Sequence, residues 1–303
     1  MIVCISNPKK VDGDGIIDSK DRNPLKYDIT DYTLALVSRL AYNNLENSIG
    51  KSLRRTNIPR EKIENLENWV VIEANNSGKS DNFWDIKKFF KDKGEDFFDS
   101  GFGAVCITNG SDIIYALRGT DFQFGTQVIS DGATDVLAFL VDWNNQLSFA
   151  RDLYKSVCSR YEKYTYFITG HSLGGRLAQD VTLYSINENI SSIKSLVKLP
   201  KHTATFNALG YSKMAHYINK KFISKYLNNK ELIELANSII TNYYIIYDEV
   251  GDLAGDSLLY KRYGKNVGYK IGGFLHLLIA YHGLEYFIDR EVISDDLKQK
   301  ILN

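Results

Sequence analysis

Tyr164-Thr165-Tyr166-Phe167-Ile168-Thr169-Gly170-His171-Ser172-Leu173-Gly174-Gly175 is the stretch that decides the fold. Its first six residues are aromatic or β-branched, which predicts a buried strand. The remainder fits Gly-x-Ser-x-Gly and runs into Leu177, Val181 and Tyr184 at helical spacing, which predicts a helix over 173–185. A serine hydroxyl is a poor nucleophile at neutral pH. It becomes useful on a sharp strand-to-helix turn, where a histidine takes its proton and backbone N–H groups bind the oxyanion. Gly170 and Gly174 leave room for that turn. The expectation is that Ser172 is an acyl-transfer nucleophile and that the Leu173 N–H is one oxyanion donor.

Working outward, the elements alternate. A helix is expected over Asp31–Asn44, with Asp31 as its cap, and a strand over Trp69–Glu73. An amphipathic stretch is expected around Phe83–Phe90. Two strands, 103–108 and 112–117, are joined by Asn109-Gly110, a strong hairpin signal. Then come a helix near 144–160, a strand at 203–207, helices within 212–240, strands at 242–247 and near 266–271, and a helix over 275–288. That order predicts an α/β fold with a central, mostly parallel sheet and helices on both faces. Residues 1–28 read as a separate acidic segment and 29–303 as one domain.

Composition narrows the function. The chain has 303 residues, 44% hydrophobic and 13% aromatic, enough for a sizeable core. No apolar run reaches the ~20 residues that span a bilayer. Lysine plus arginine equals aspartate plus glutamate at 37 each, so nothing electrostatic favours nucleic acid or a strongly anionic membrane. A lipid partner would be met by apolar surface. Cys4, Cys106 and Cys158 are too scattered for a disulfide framework or a zinc site, and the last two read as buried thiols. The N-terminal residues lack the build of a secretory signal. That leaves three expectations: a cytoplasmic protein, export by another route, or a fragment of a longer chain.

Five histidines could supply the base: His171, His202, His216, His276 and His282. His171 adjoins Ser172 and cannot bend back to its hydroxyl, so a supporting or packing role is expected. His202 precedes a strand and His216 lies in a lysine-rich helix. His276 sits in an apolar run as a core histidine would. His282, followed by Gly283 and apolar residues, is the expected base. The orienting acid belongs at a strand end between serine and histidine. Asp248 ends the strand at 242–247, with Glu249 and Asp252 as competitors. The second oxyanion donor belongs in a loop after an earlier strand, and Thr120 in Leu117-Arg118-Gly119-Thr120-Asp121 fits.

In this order the chain resembles the class 3, fungal-type lipases of the α/β hydrolases over roughly residues 60–290. The resemblance rests on Ser100-Gly101-Phe102-Gly103-Ala104, Tyr115-Ala116-Leu117-Arg118-Gly119-Thr120 and Gln146-Leu147-Ser148-Phe149-Ala150. It continues through Thr169–Gly175, Thr205-Phe206-Asn207-Ala208, Asp248-Glu249-Val250 and His282-Gly283-Leu284-Glu285-Tyr286. It implies a triad of Ser172, His282 and Asp248, with Thr120 and Leu173 at the oxyanion. It also implies a lipid or ester substrate, contact with a lipid interface, and a lid over Asp121–Asp142, a stretch that reads equally well as carrying an ordinary amphipathic core helix at 134–141. The chain departs from the family in Gly251-Asp252-Leu253 after the acid, where an apolar-Pro turn is usual. It departs again in a lysine- and asparagine-rich insertion over 211–240.

One motif lies apart. Lys10-Val11-Asp12-Gly13-Asp14-Gly15-Ile16-Ile17-Asp18-Ser19-Lys20-Asp21 follows calcium-loop spacing, with Asp12, Asp14, Asp18 and Asp21 as carboxylate ligands and the Ile16 carbonyl between them. It resembles thrombospondin type 3 repeats, except that Lys10 stands where a first carboxylate is expected. A structural Ca2+ is the implied cofactor, and the motif suits a secreted protein. The leading functional expectation is a serine ester hydrolase on acyl lipids, as a phospholipase A or an acylglycerol lipase. Its alternatives are a short-chain esterase or thioesterase, and a calcium-dependent binding module with a vestigial hydrolase fold.

Overall fold

The computed structural model describes residues 29–75, 102–119, 143–192, 195–212, 230–246, 260–269 and 283–288. Nine strands occur among them: β1 Val70–Asn75, β2 Ala104–Thr108, β3 Asp112–Leu117, β4 Thr165–His171, β5 His202–Phe206, β6 Tyr211–Ser212, β7 Ile240–Ile245, β8 Tyr260–Lys261 and β9 Lys265–Tyr269. The helices are α1 Asp31–Leu40, α2 Trp143–Arg160, α3 Leu173–Ser191, α4 Lys230–Ile239 and the single turn α5 Glu285–Ile288. The expected stretch at Phe83–Phe90 and the segments carrying the calcium loop and the lid lie outside the described residues. Among the described helices none is long and apolar enough to cross a membrane.

Seven strands form one sheet in the order β1-β2-β3-β4-β5-β7-β9, and β6 pairs separately with β8. β1, β2 and β3 are antiparallel neighbours, whereas β3, β4, β5, β7 and β9 are parallel. The Asn109-Gly110 turn closes β2 on β3 as its sequence predicts, with Gly110 at φ +101°. The mostly parallel sheet is therefore present, with the antiparallel part confined to one end.

Alternation along the strands builds two cores. Val105 and Ile107 of β2, Ile114 and Ala116 of β3 and Phe167 of β4 face α1, packing with Leu34, Val37 and Leu40. Phe287 and Ile288 of α5 join the same core. Cys106, Ile113, Tyr115, Leu117, Tyr166 and Ile168 point the other way, against Phe149, Leu153 and Val157 of α2 and Leu177 and Val181 of α3. Farther along α3, Leu183 and Ile186 meet Leu232, Ala236 and Ile239 of α4. Both faces are thus covered, as the sequence pattern requires.

Helix α1 shows two local differences from expectation. Thr30, not Asp31, is the cap, its hydroxyl accepting from the Thr33 N–H at 3.2 Å. Asp31 is drawn elsewhere. One carboxylate oxygen lies 2.7 Å from His202 Nε2 and the other accepts from the Tyr243 hydroxyl. The helix also stops at Leu40 rather than 44. Asn43 ends it, with its side-chain amide donating to the Arg39 carbonyl at 3.2 Å and its N–H to the Leu40 carbonyl at 2.9 Å.

Helix α3 is buried on nearly all sides, so its polar residues need partners. Arg151 of α2 holds Asp180 by two bonds of 2.6 and 2.7 Å and lies over the Tyr184 ring. Thr182 bonds Thr203 of β5 at 2.8 Å, and Gln179 accepts from the Tyr263 N–H at 3.0 Å. The helix that follows Ser172 is thereby fixed to α2, to β5 and to the segment before β9.

Candidate active site

Because β3, β4, β5, β7 and β9 run the same way, their C-terminal ends share one edge of the sheet. The register brings Leu117 beside Gly170, His171 beside Phe206, and Phe206 beside Tyr243. Ser172 leaves β4 at this edge and caps α3. Its backbone sits at φ +57°, ψ −125°, a region a side chain rarely adopts and one that costs about 1–3 kcal/mol. That strain holds because neighbours lock both sides of the residue. The Ser172 N–H donates to the Phe206 carbonyl at 3.0 Å, and its carbonyl accepts from Gly175, Arg176 and Leu209 N–H groups. Its hydroxyl makes no capping bond to the helix.

The flanking glycines are required by contact. A Cβ on Gly170 would stand 2.2 Å from the Gly174 carbonyl oxygen, and one on Gly174 would stand 2.1 Å from that of Leu117. A Cβ on Gly175 would stand 2.6 Å from that of Ala208, beyond β5. A strained serine on a glycine-crowded turn, between a central parallel strand and a buried helix, has the backbone form of a nucleophile elbow. This is an α/β-hydrolase fold.

The Leu173 N–H lies in the first turn of α3, where backbone donors have no acceptor within the helix and the helix dipole favours negative charge. Beside it comes the end of β3. The Arg118 N–H donates to the Gly103 carbonyl at 2.9 Å, which leads the strand into Gly119. Gly119 is wedged against the elbow. A Cβ there would meet the Tyr42 hydroxyl at 2.6 Å, the His171 carbonyl at 2.7 Å and the Ser172 Cβ at 3.1 Å.

His171 does not face its neighbour's hydroxyl. Its Nδ1 lies 2.8 Å from the Tyr42 hydroxyl, and the two rings meet edge-on with centroids 5.9 Å apart. His202 opens β5 and is held by Asp31, away from the edge that carries Ser172. Past β5, Asn207 at φ +43° accepts from the Ile245 N–H through its side chain at 2.9 Å and donates its N–H to Tyr243 at 2.8 Å. The turn after β5 is thereby tied to the end of β7. Thr120, Asp248, His276, His282, His216 and the calcium ligands Asp12, Asp14, Ile16, Asp18 and Asp21 lie outside the described residues.

The two described cysteines are buried free thiols, as expected. Burial pushes Cys106 well above the ordinary thiol range and Cys158 up to about 11. Neither belongs to the elbow. Tyr42 and Gly119 are the residues that sequence reasoning missed. Tyr42 is 129 residues from His171 and 77 from Gly119, so no local pattern could have signalled either pairing.

No family model and no curated protein matches the chain. Solved structures similar to it include the lipase of Rhizopus microsporus var. chinensis, at 14% identity and TM-score 0.46 over 78% of this chain and 72% of that one. The triacylglyceride lipase of Rhizomucor miehei matches at 12% identity and TM-score 0.44, over 78% and 77%. A nonglycosylated lipase of Yarrowia lipolytica matches at 14% and 0.43, over 80% and 79%.

Proposed function

We propose that the protein is a serine carboxylic ester hydrolase acting on acyl lipids, as an acylglycerol lipase or a phospholipase A. The observation that carries this reading is the backbone of Ser172, held at positive φ with its hydroxyl unused by the helix it caps. A purely structural turn would relieve that strain with glycine.

In the mechanism, Ser172 Oγ attacks the ester carbonyl while His282 takes the hydroxyl proton, and Asp248 holds the imidazolium in orientation. The oxyanion is bound by the N–H groups of Leu173 and Thr120. Collapse of the tetrahedral adduct passes the proton from His282 to the leaving alcohol and leaves an acyl-Ser172 ester. Water, deprotonated by His282, then releases the carboxylic acid. Three described features support these assignments. Gly119, bonded to Thr120, touches the elbow. β7, which precedes Asp248, ends tied to Asn207 at the edge of Ser172. Phe287, five residues after His282, packs at 5.2 Å against Phe206, which is the register partner of His171.

The apolar residues of Asp121–Asp142 are proposed as a lid that admits a lipid surface, and the acidic loop at 10–21 as a structural calcium site of a secreted protein. The test compares triglyceride, phospholipid and short-chain esters side by side, with and without calcium, using the native chain and Ser172→Ala. Long-chain acyl release that Ser172→Ala abolishes is expected, together with labelling of Ser172 by a fluorophosphonate. Full activity in Ser172→Ala would overturn the mechanism, and a preference for short esters with indifference to interfaces would overturn the lipid assignment.

A further inference from the structure

We propose that Tyr42 is a positioning residue, whose single hydroxyl clamps the oxyanion segment after β3 onto the nucleophile elbow; this rests on the ester-hydrolase reading of that site. The hydroxyl lies between two partners. It is 3.2 Å from the Gly119 N–H and 2.8 Å from His171 Nδ1. A backbone N–H can only donate, so the Tyr42 oxygen accepts from Gly119. The same hydroxyl is within hydrogen-bond distance of His171 Nδ1, donating to it or accepting from it according to the tautomer of the ring. The result is a hydrogen-bonded bridge from the segment after β3 through the tyrosine to the elbow.

The platform behind Tyr42 is rigid. α1 is bound at its start through Asp31 to β5 and β7, and in its middle by the Thr169 hydroxyl of β4, which donates to the Leu34 carbonyl at 3.1 Å. At its end Asn43 closes the last turn. Tyr42 therefore reaches the site from an element fixed to the same strands that carry the serine. The elbow and the β3 loop also meet by close contact at Gly119, where a side chain of any size is excluded. An oxyanion donor one residue beyond has to be placed within a fraction of an ångström. The Tyr42 hydroxyl supplies a directional bond to that glycine's N–H.

Tyr42→Phe removes both bonds and keeps the ring that packs on His171. The inference predicts a fall in kcat of about tenfold with KM within about twofold, since removal of a whole oxyanion donor costs about 10²–10³ and here the donor is only loosened. The ratio of ester to thionoester turnover should fall as well, because a carbonyl sulfur draws less on the oxyanion donors and is less hurt by their displacement. A role in stability alone would lower Tm and leave that ratio unchanged. Independently of catalysis, amide hydrogen exchange at Gly119 should quicken about tenfold in Tyr42→Phe. Unchanged exchange overturns the clamp whatever the activity. Quickened exchange with an unchanged ester-to-thionoester ratio overturns its link to the oxyanion. Absence of Ser172-dependent turnover in the native chain overturns the ester-hydrolase reading instead, with the exchange measurement still deciding whether Tyr42 holds Gly119.

Discussion

Gly174→Ala puts one methyl group at the point where the elbow and the oxyanion segment touch. The new Cβ would stand 2.1 Å from the Leu117 oxygen, 2.6 Å from the Arg118 carbonyl carbon and 2.7 Å from that of Leu117. All three are backbone atoms, so no side chain can swing aside. The end of β3 and the first turn of α3 must part by roughly 1 Å to reach even a tight contact. Overpacking of this kind costs about 1–3 kcal/mol. Alanine in place of glycine inside a helix returns about 1 kcal/mol. The net stability loss is then about 0–2 kcal/mol, a few degrees in Tm. Catalysis should suffer far more, because a displacement of about 1 Å between nucleophile and donor costs roughly 10²-fold. That is about 2.7 kcal/mol of transition-state stabilisation, lost mostly from kcat. The assay is steady-state hydrolysis of a soluble ester beside thermal unfolding of the same preparation. Turnover within threefold of the native chain, from a folded variant, would refute the reasoning that this contact sets the oxyanion geometry.

Two further predictions follow from the same structure. Ser172→Gly should be more stable than Ser172→Ala by about 1 kcal/mol, because glycine relieves the positive-φ strain that alanine keeps, less the entropy it adds to the unfolded chain; equal unfolding midpoints would deny the strain. Cys158, pushed up from 9.0 to about 11 by burial, holds its proton in the folded state after the unfolded chain has released it. The contribution of Cys158 to stability should therefore fall as pH rises between about 9 and about 11, and Cys158→Ser should lessen the slope across that window in urea titrations, while buried Cys106 and the buried tyrosines continue the fall above it.

Much of the architecture was legible where local chemistry and tertiary demand agree. The Asn109-Gly110 hairpin and the strand, serine and helix of 164–185 were readable because turn residues, alternation and helical spacing all point one way there. The start of β7 was less so. α4 passes from Ile239 directly to Ile240 of the strand with no glycine or proline between them, so nothing local marks the change. Asp31 looked like a cap because aspartate commonly caps helices. Only the fold brings His202 and Tyr243 within its reach, 171 and 212 residues away. At the site, the turn at Ser172 and the start of α3 at Leu173 were legible because strand, turn and helix follow one another locally. Tyr42 was not, since its value depends on where α1 lies across the sheet.

The sheet order also bears on how the molecule assembles. Every strand of the large sheet lies beside the one that precedes it there in sequence, from β1 through β9. No strand has to be threaded between two that are already paired. Each can join the edge formed by its predecessor, which keeps loop-closure distances short and makes the sheet grow from one side only. α1 stands outside that scheme. It is made before any of the strands it covers, yet its apolar face finds a seat only once β3, β4 and β5 are laid down. Until then the α1 segment lacks the packing that a ten-residue helix needs to be stable in water. Its docking, which brings Tyr42 to Gly119, needs those strands in place and so follows their pairing rather than guiding it.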